Sequence, residues 1–246
     1  MTTKRKASGS ISVMSAGGEV WWERIINKTM NKIFNEDFRN HLSNFNSNAY
    51  VISDPPYNQK YHYSLYSDDM DIDEYGTMLR DAFSGQKSVI ISYPEETLNI
   101  VSRTMTDDVC EQSVAWVYNS NTAKQHRLVT WWNCKPDMRK IGQPYKNPTD
   151  KRIAKRISEG KEARLYDWWE INQVKNVSKK DNPHPCPIPY ELAKRIILLT
   201  VPEKGLVIDP FAGSGTILQA AKDTGREYLG FEIDKTYYEY MKNISL

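Results

Sequence analysis

Asp54 is followed by two prolines and a tyrosine in the run Ser53-Asp54-Pro55-Pro56-Tyr57-Asn58. Proline locks its own φ and has no N–H to donate, and it forces the residue before it out of the helical region. Asp54 and Pro55 each precede a proline, so both are held extended, with their carbonyls in set directions and Tyr57 on a stiff mount. A carboxylate, a free carbonyl and a flat aromatic face aimed at one point suit a small planar group. A Pro-Pro turn that merely ends a strand would use the same residues.

A second stretch, residues 205–216, reads Gly-Leu-Val-Ile-Asp-Pro-Phe-Ala-Gly-Ser-Gly-Thr. An apolar strand ends in Asp209, and the turn Pro210, Phe211, Ala212, Gly213, Ser214, Gly215 and Thr216 leads into a helix-like run at 217–222. Gly213 and Gly215 can take positive φ and let a ligand approach the backbone, and the start of the helix offers unpaired N–H groups. Residues 227–232 then read as another strand, ending in Glu232. An acid about 20 positions beyond such a turn is placed to accept from a ribose hydroxyl in a Rossmann-type site. No Gly-Lys-Ser/Thr is present, which disfavours a phosphate-cradling P-loop.

Together the two stretches resemble the amino-methyltransferases that act on DNA bases, a family that pairs an Asp-Pro-Pro-Tyr motif with an Asp-Pro-Phe-x-Gly-x-Gly turn for S-adenosyl-L-methionine. His184-Pro185-Cys186-Pro187-Ile188-Pro189 with Leu192 is similar to the family's His-Pro-x-x-x-Pro segment, and the motif order matches its β-type permutation. The resemblance runs from Lys32 to the C-terminus. It implies an α/β, Rossmann-like methyltransferase fold with a mostly parallel twisted sheet, helices on both faces and a small basic target-recognition insert. It assigns Asp54, Pro55, Pro56 and Tyr57 to the reacting end. It assigns residues 209–216, Glu232, His184 and Pro185 to the cofactor, with Asp37 of the opening acidic turn as a further contact near the adenine. Asp at position 54 leans toward adenine N6 in this family; Ser there leans toward cytosine N4, and Asn marks readers of a glutamine amide. Double-stranded DNA is the implied partner, homodimers are frequent among relatives of this permuted order, and the implied setting is a bacterial, archaeal or phage-type intracellular one. RNA is a further enzyme substrate to weigh. A rival of another class is a nucleic-acid-binding module that retains the fold without turnover, against which the intact motifs argue.

The elements that must position these residues follow from the apolar pattern. Strands are expected at 49–52, 88–92, 113–118 and 127–132, and helices at 73–82 (capped by Asp73), 97–105, 190–199 and 235–242. Alternating strands and helices imply a mostly parallel sheet covered on both faces. Ligands of open α/β sheets bind beyond the carboxyl ends of the strands, which would put Asp54 and Asp209 on one rim. The loop at 59–71, dense in Tyr, Ser and Asp, has the length of a lid; Tyr61, His62, Tyr63 and Tyr66 would line a base pocket or pack on the scaffold. Residues 1–18, rich in Ser, Gly, Lys and Thr, read as a disordered tail. The chain then divides into a catalytic half at 19–134, a basic region at 135–182 and a cofactor-binding half at 183–246.

Charge separates these parts. Residues 135–180 hold thirteen Lys and Arg against six acids, so this segment carries +7 in a chain of net +2 and the remainder carries −5. Lys151, Arg152, Lys155 and Arg156 fall on one expected helix, and Tyr145, Tyr166, Trp168 and Trp169 are interleaved. Concentrated positive charge neutralises phosphates; a solvated helix over a tryptophan core has the same composition. The three cysteines, Cys110, Cys134 and Cys186, have neither zinc spacing nor a disulfide framework, and no metal is expected. No apolar run is long enough to cross a membrane and no signal peptide is expected.

Overall fold

The computed structural model describes residues 30–62, 67–174 and 182–246. The expected N-terminal tail, Tyr63, Tyr66 and residues 175–181 lie outside these, as do the side chains of Tyr61 and His62. Asn31–Leu246 forms one unit.

Ala49-Tyr50-Val51-Ile52-Ser53 forms strand β2 (Ala49–Ser53), following β1 (Lys32–Phe34). Side chains alternate faces along a strand, and here both faces are buried. Val51 packs with Tyr75, Leu79 and Phe83 of helix α1 (Ile72–Phe83), whereas Ile52 joins Leu192 and Ile196 of the later helix at Tyr190–Thr200. The short hairpin β3 (Tyr61–His62) and β4 (Ser67–Asp68) precedes α1. The cap of α1 is Asp71 rather than Asp73: its carboxylate accepts from the Asp73 N–H at 2.9 Å. Next come β5 (Lys87–Ser92), a helical stretch that begins at Pro94 and is a π-helix over Thr97–Val101, β6 (Cys110–Val117) and β7 (His126–Trp132).

The basic region supplies β8 (Gly142–Gln143), α2 (Lys151–Ser158), β9 (Ala163–Arg164) and β10 (Trp168–Glu170). It is not a detached insert. β10 pairs parallel with β6, and Trp169 is buried in the main core while its neighbour Trp168 is 41% exposed. The chain closes with α3 (Tyr190–Thr200), β11 (Leu206–Asp209), α4 (Thr216–Asp223), β12 (Glu227–Phe231) and α5 (Lys235–Asn243).

Eight of the described strands form one sheet in the order β1-β12-β11-β2-β5-β7-β6-β10. β11 and β2 lie side by side and parallel, yet their crossovers depart in opposite directions, β11 through α4 to β12 and β2 through α1 to β5. This is a topological switch point, and a crevice opens beyond the carboxyl ends of the two strands. The sheet is mostly parallel as expected, with β7 reversed against both β5 and β6. The cause is the short connection at 118–125, a length that joins antiparallel neighbours but not parallel ones. A reversed strand presents its start, not its end, to the rim, and the start of β7 is His126-Arg127.

Trp131 on β7 is fully buried, and its indole N–H donates to the Thr200 hydroxyl at 2.7 Å. Trp131→Ala is expected to cost about 3–5 kcal/mol, read as a lowered urea midpoint, and Trp131→Phe to cost less because the ring volume is largely kept.

Candidate active site

The turn after β2 is pinned from below. Ser53 donates through its hydroxyl to Asp209 Oδ1 at 2.5 Å, joining the ends of β2 and β11 directly. Tyr75 of α1 donates to the Pro56 carbonyl at 2.8 Å. Asn58, at φ +53°, forms a two-way clasp with the backbone of Met70, donating to its carbonyl at 2.9 Å and accepting from its N–H at 2.6 Å. The buried Asp68 carboxylate accepts from the N–H groups of Asn58 at 2.8 Å and Gln59 at 3.0 Å. Both described ends of the 59–71 loop are therefore tied to the Asp-Pro-Pro-Tyr turn.

Asp54 meets two donors. The Tyr57 hydroxyl donates to Oδ1, and Arg127 Nη1 lies 3.1 Å from Oδ2. Arg127 also stacks against Tyr57, Tyr93 and Trp116, with its guanidinium carbon 5.2, 4.9 and 5.3 Å from the ring centroids. Burial raises the proton affinity of the Asp54 carboxyl, and Arg127 and Tyr57 oppose that rise. For the tyrosine hydroxyl both burial and the neighbouring carboxylate act upward, so Tyr57 stays protonated. Asp54 accepts at both oxygens, and each retains a second lone-pair direction.

The second turn is built from β11 and β12. Gly213 and Gly215 have φ of +53° and +76°, the left-handed conformation for which glycine is suited. The buried Glu232 carboxylate accepts from the N–H of Gly213 at 2.8 Å and of Asp234 at 2.7 Å, which fastens the turn to the end of β12. Against Gly213 lies His184: a Cβ at that glycine would sit 3.0 Å from Nε2. Burial lowers the His184 pKa to about 4, so the ring is neutral near pH 7. The Cys186 N–H donates to its Nδ1 at 3.3 Å, which places the proton on Nε2. Asp209 is deeply buried, and burial raises its pKa to about 7 against the opposing bonds from Ser53 and the Phe211 N–H.

One cavity of about 300 Å³ joins these parts, a size at the lower end of ligand pockets. Asp54, Pro55, Pro56 and Tyr57 line it together with His184, Pro210, Phe211, Gly213, Glu232 and Asp37. A smaller adjoining cavity takes in Asp209, Ala212, Ser214 and Thr216, with Asp54, His184 and Gly213 common to both. Pro185 and Gly215 line neither; Gly215 caps α4 and backs onto Met241 and Leu246. Asp37 is at the mouth, where its carboxylate caps the following 3-10 turn and pairs with Arg39 at 2.6 Å, an arrangement that holds its pKa down. Lys151, Arg152, Lys155 and Arg156 are all exposed on α2, which buries none of its residues. Sequence reasoning missed Arg127, Tyr93, Asp68 and Ile233. Tyr93 follows the expected strand 88–92, Asp68 lies in the expected 59–71 loop and Ile233 follows Glu232; Arg127 begins the expected strand 127–132 with no local sign of its role. Among the described residues no cluster of His, Cys, Asp and Glu is arranged to hold a metal ion.

A sequence profile of the N6/N4 methyltransferases, described as DNA methylase, matches residues 49–243. The chain belongs to this DNA methylase family. It is 24% identical over 253 residues to the Type II methyltransferase M.BglII of Bacillus subtilis, an alignment covering 85% of this chain and 67% of that one. Its fold is that of M1.HpyAVI, crystallised with S-adenosylmethionine, at TM-score 0.59 and 18% identity over 87% of this chain and 99% of the other. The cytosine-N4-specific PvuII DNA methyltransferase superposes at TM-score 0.60 with 15% identity, covering 87% of this chain and 86% of that one.

The cofactor of the DNA methylase is S-adenosylmethionine, and the residues present fit it. Phe38, Met78, Phe211, Phe231 and Ile233 offer apolar wall for a purine. Glu232 can still accept from hydroxyls, and the acids Asp54, Asp209 and Glu232 suit a cation. A proton held by Asp209 below about pH 7 opposes a cationic ligand, and ionisation above it favours one. Calorimetric affinity for S-adenosylmethionine is therefore expected to rise with pH through about 7 and then level off, and Asp209→Asn to flatten the curve.

Proposed function

We propose that this DNA methylase transfers the methyl group of S-adenosylmethionine to the exocyclic N6 amine of an adenine flipped out of double-stranded DNA. The observation that carries the reading is the shared cavity: the Asp54 carboxylate and the glycine turn at Gly213 open onto the same space. The difficulty of the reaction lies with the nucleophile, since an adenine amine is conjugated into its ring. Asp54 accepts one amino hydrogen and the Pro55 carbonyl the other, which favours a tetrahedral nitrogen with its lone pair free to attack. When bound, S-adenosylmethionine supplies an electrophilic methyl and leaves as a neutral thioether. This is preorganised electrostatics and positioning, and no strong base is needed beforehand because the proton becomes acidic once the nitrogen is alkylated. Tyr57 stacks on the base, worth about 1–3 kcal/mol, comparable with the few kcal/mol that extrusion requires. His184, Asp37, Glu232 and the turn at 209–216 hold the cofactor.

Adenine rather than cytosine rests on Asp at position 54. The cytosine-N4 reading is kept because a cytosine-N4-specific enzyme shares the fold. Incubation with DNA and labelled S-adenosylmethionine, followed by mass spectrometry of the nucleosides, is expected to yield N6-methyladenine. N4-methylcytosine would replace the substrate, and DNA binding without incorporation would favour a non-catalytic module. Asp54→Ala is expected to abolish transfer while leaving calorimetric cofactor affinity largely intact; equal loss of both would remove the role assigned to Asp54.

The basic region, 135–182, is proposed as the DNA-recognition part. Its support is α2, whose four cations are open to solvent. Neutralising Lys151, Arg152, Lys155 and Arg156 together is expected to flatten the dependence of log K on log salt by about 0.9 for each phosphate no longer neutralised. An unchanged slope would return α2 to an ordinary solvated helix.

A further inference from the structure

Arg127 stands out because an arginine this enclosed is unusual on packing grounds alone. Its side chain is 9% exposed, three aromatic rings surround it, and its Nε has no hydrogen-bond partner among the described residues. The Asp54 side chain opposite is 16% exposed. Taking both charges out of water costs more than their attraction usually returns, and apolar residues of similar volume are often as stable. A purely structural account would therefore be as well served by methionine. What the guanidinium adds is a direction: it approaches Oδ2 while the Tyr57 hydroxyl approaches Oδ1, so the carboxylate is gripped at both oxygens and cannot rotate freely.

We propose that Arg127 is a positioning residue, holding the Asp54 carboxylate ionised and at a fixed rotation so that it accepts a hydrogen bond from the substrate amine without taking its proton. The inference rests on the reading of Asp54 given above and adds where the proton goes. The nitrogen lone pair forms the bond to the methyl carbon as the carbon–sulfur pair stays on sulfur. The surplus proton on nitrogen then passes to water, and Asp54 remains an anion throughout.

The groups facing this carboxylate come from four elements, with Tyr93 packed against two of them, Tyr57 and Arg127. Tyr57 lies on its own turn, Arg127 on β7, Tyr93 follows β5, Asp209 ends β11 and Cys186 lies in the proline-rich segment before α3. Asp209 and Cys186 add no positive charge, and Tyr57 is a protonated donor. Arg127 is the one cation that directly contacts Asp54 among the described residues. Burial pushes Asp54 toward the protonated form, and Arg127 is the largest opposing influence.

The test uses Arg127→Gln and Arg127→Lys in the full chain, with thermal transitions to establish folding. Arg127→Gln keeps a donor and loses the charge; Arg127→Lys keeps the charge and loses the fork. In Arg127→Gln the acid limb of the kcat–pH profile is expected to move up by about one pH unit or more. Turnover at neutral pH is expected to fall about a hundredfold, while calorimetric affinity for S-adenosylmethionine is retained. Arg127→Lys is expected to keep the limb in place and recover part of the rate. A readout free of turnover is the carbon-13 NMR titration of the Asp54 carboxyl, with its midpoint raised by about one unit or more in Arg127→Gln. A folded Arg127→Gln enzyme with an unmoved limb and an unmoved carboxyl midpoint overturns the proposal. Failure of the wider reading looks different: Asp54→Ala would then transfer methyl groups normally whatever Arg127 does.

Discussion

Two parallel strands that pair with each other but send their chains apart, β11 and β2, are the constraint on which the rest of this molecule depends. Neither crossover helix covers the ends of the strands, so a crevice is left there. The hydrogen bond from Ser53 to Asp209 closes the base of that crevice and ties the Asp-Pro-Pro-Tyr turn to the glycine turn. Asp54 and Asp209, 155 positions apart in the chain, thereby open onto one small volume. The sheet itself is held by apolar side chains on both faces.

Charge is sorted across the molecule, with +7 at 135–180 and −5 in the remainder. The two adjoining cavities gather Asp54, Asp209, Glu232 and Asp234, with His184 neutral among them, and suit a sulfonium cation. The two arginines that line the larger cavity, Arg39 and Arg127, are each matched to an aspartate. The positive excess is kept at 135–180, where Lys146 stacks on Tyr166 and Trp168 and the cations of α2 are open to solvent. Negative charge is thus gathered at the cavities and free positive charge on α2, so groups of opposite sign are kept on separate parts of the molecule.

The basic segment also contributes to the scaffold. β10 extends the main sheet beside β6, the Trp116 indole N–H donates to the Ile171 carbonyl at 2.7 Å, and Trp169 packs edge-on against Trp131. Because β10 pairs within the main sheet, this segment is built into the same sheet as the strand that leads into the Asp54 turn. The tryptophan pair illustrates the division: successive residues of a strand point to opposite faces, so Trp169 enters the core and Trp168 remains exposed.

Much of this is legible in the order of residues. Apolar runs bounded by acids locate β2, β11 and β12 to within a residue, because a buried parallel strand must be apolar on both faces and must end where polar groups begin. Local covalent stiffness locates the two turns, since proline and glycine restrict the backbone wherever they occur. The cap of α1 falls two residues earlier than expected because Asp71 and Asp73 satisfy the same local rule and only the folded geometry chooses between them. Arg127 is invisible for a deeper reason. A charged residue at the start of an apolar strand reads as a strand edge; the short 118–125 connection implies that β7 runs opposite to β6, but nothing local shows that β7 also lies beside β5. Sequence alone determined the composition and stiffness of the two turns, because residue type and backbone constraint are local properties. Which groups surround the Asp54 carboxylate was decided only by tertiary structure, because strand order and register are settled by packing between segments far apart in the chain.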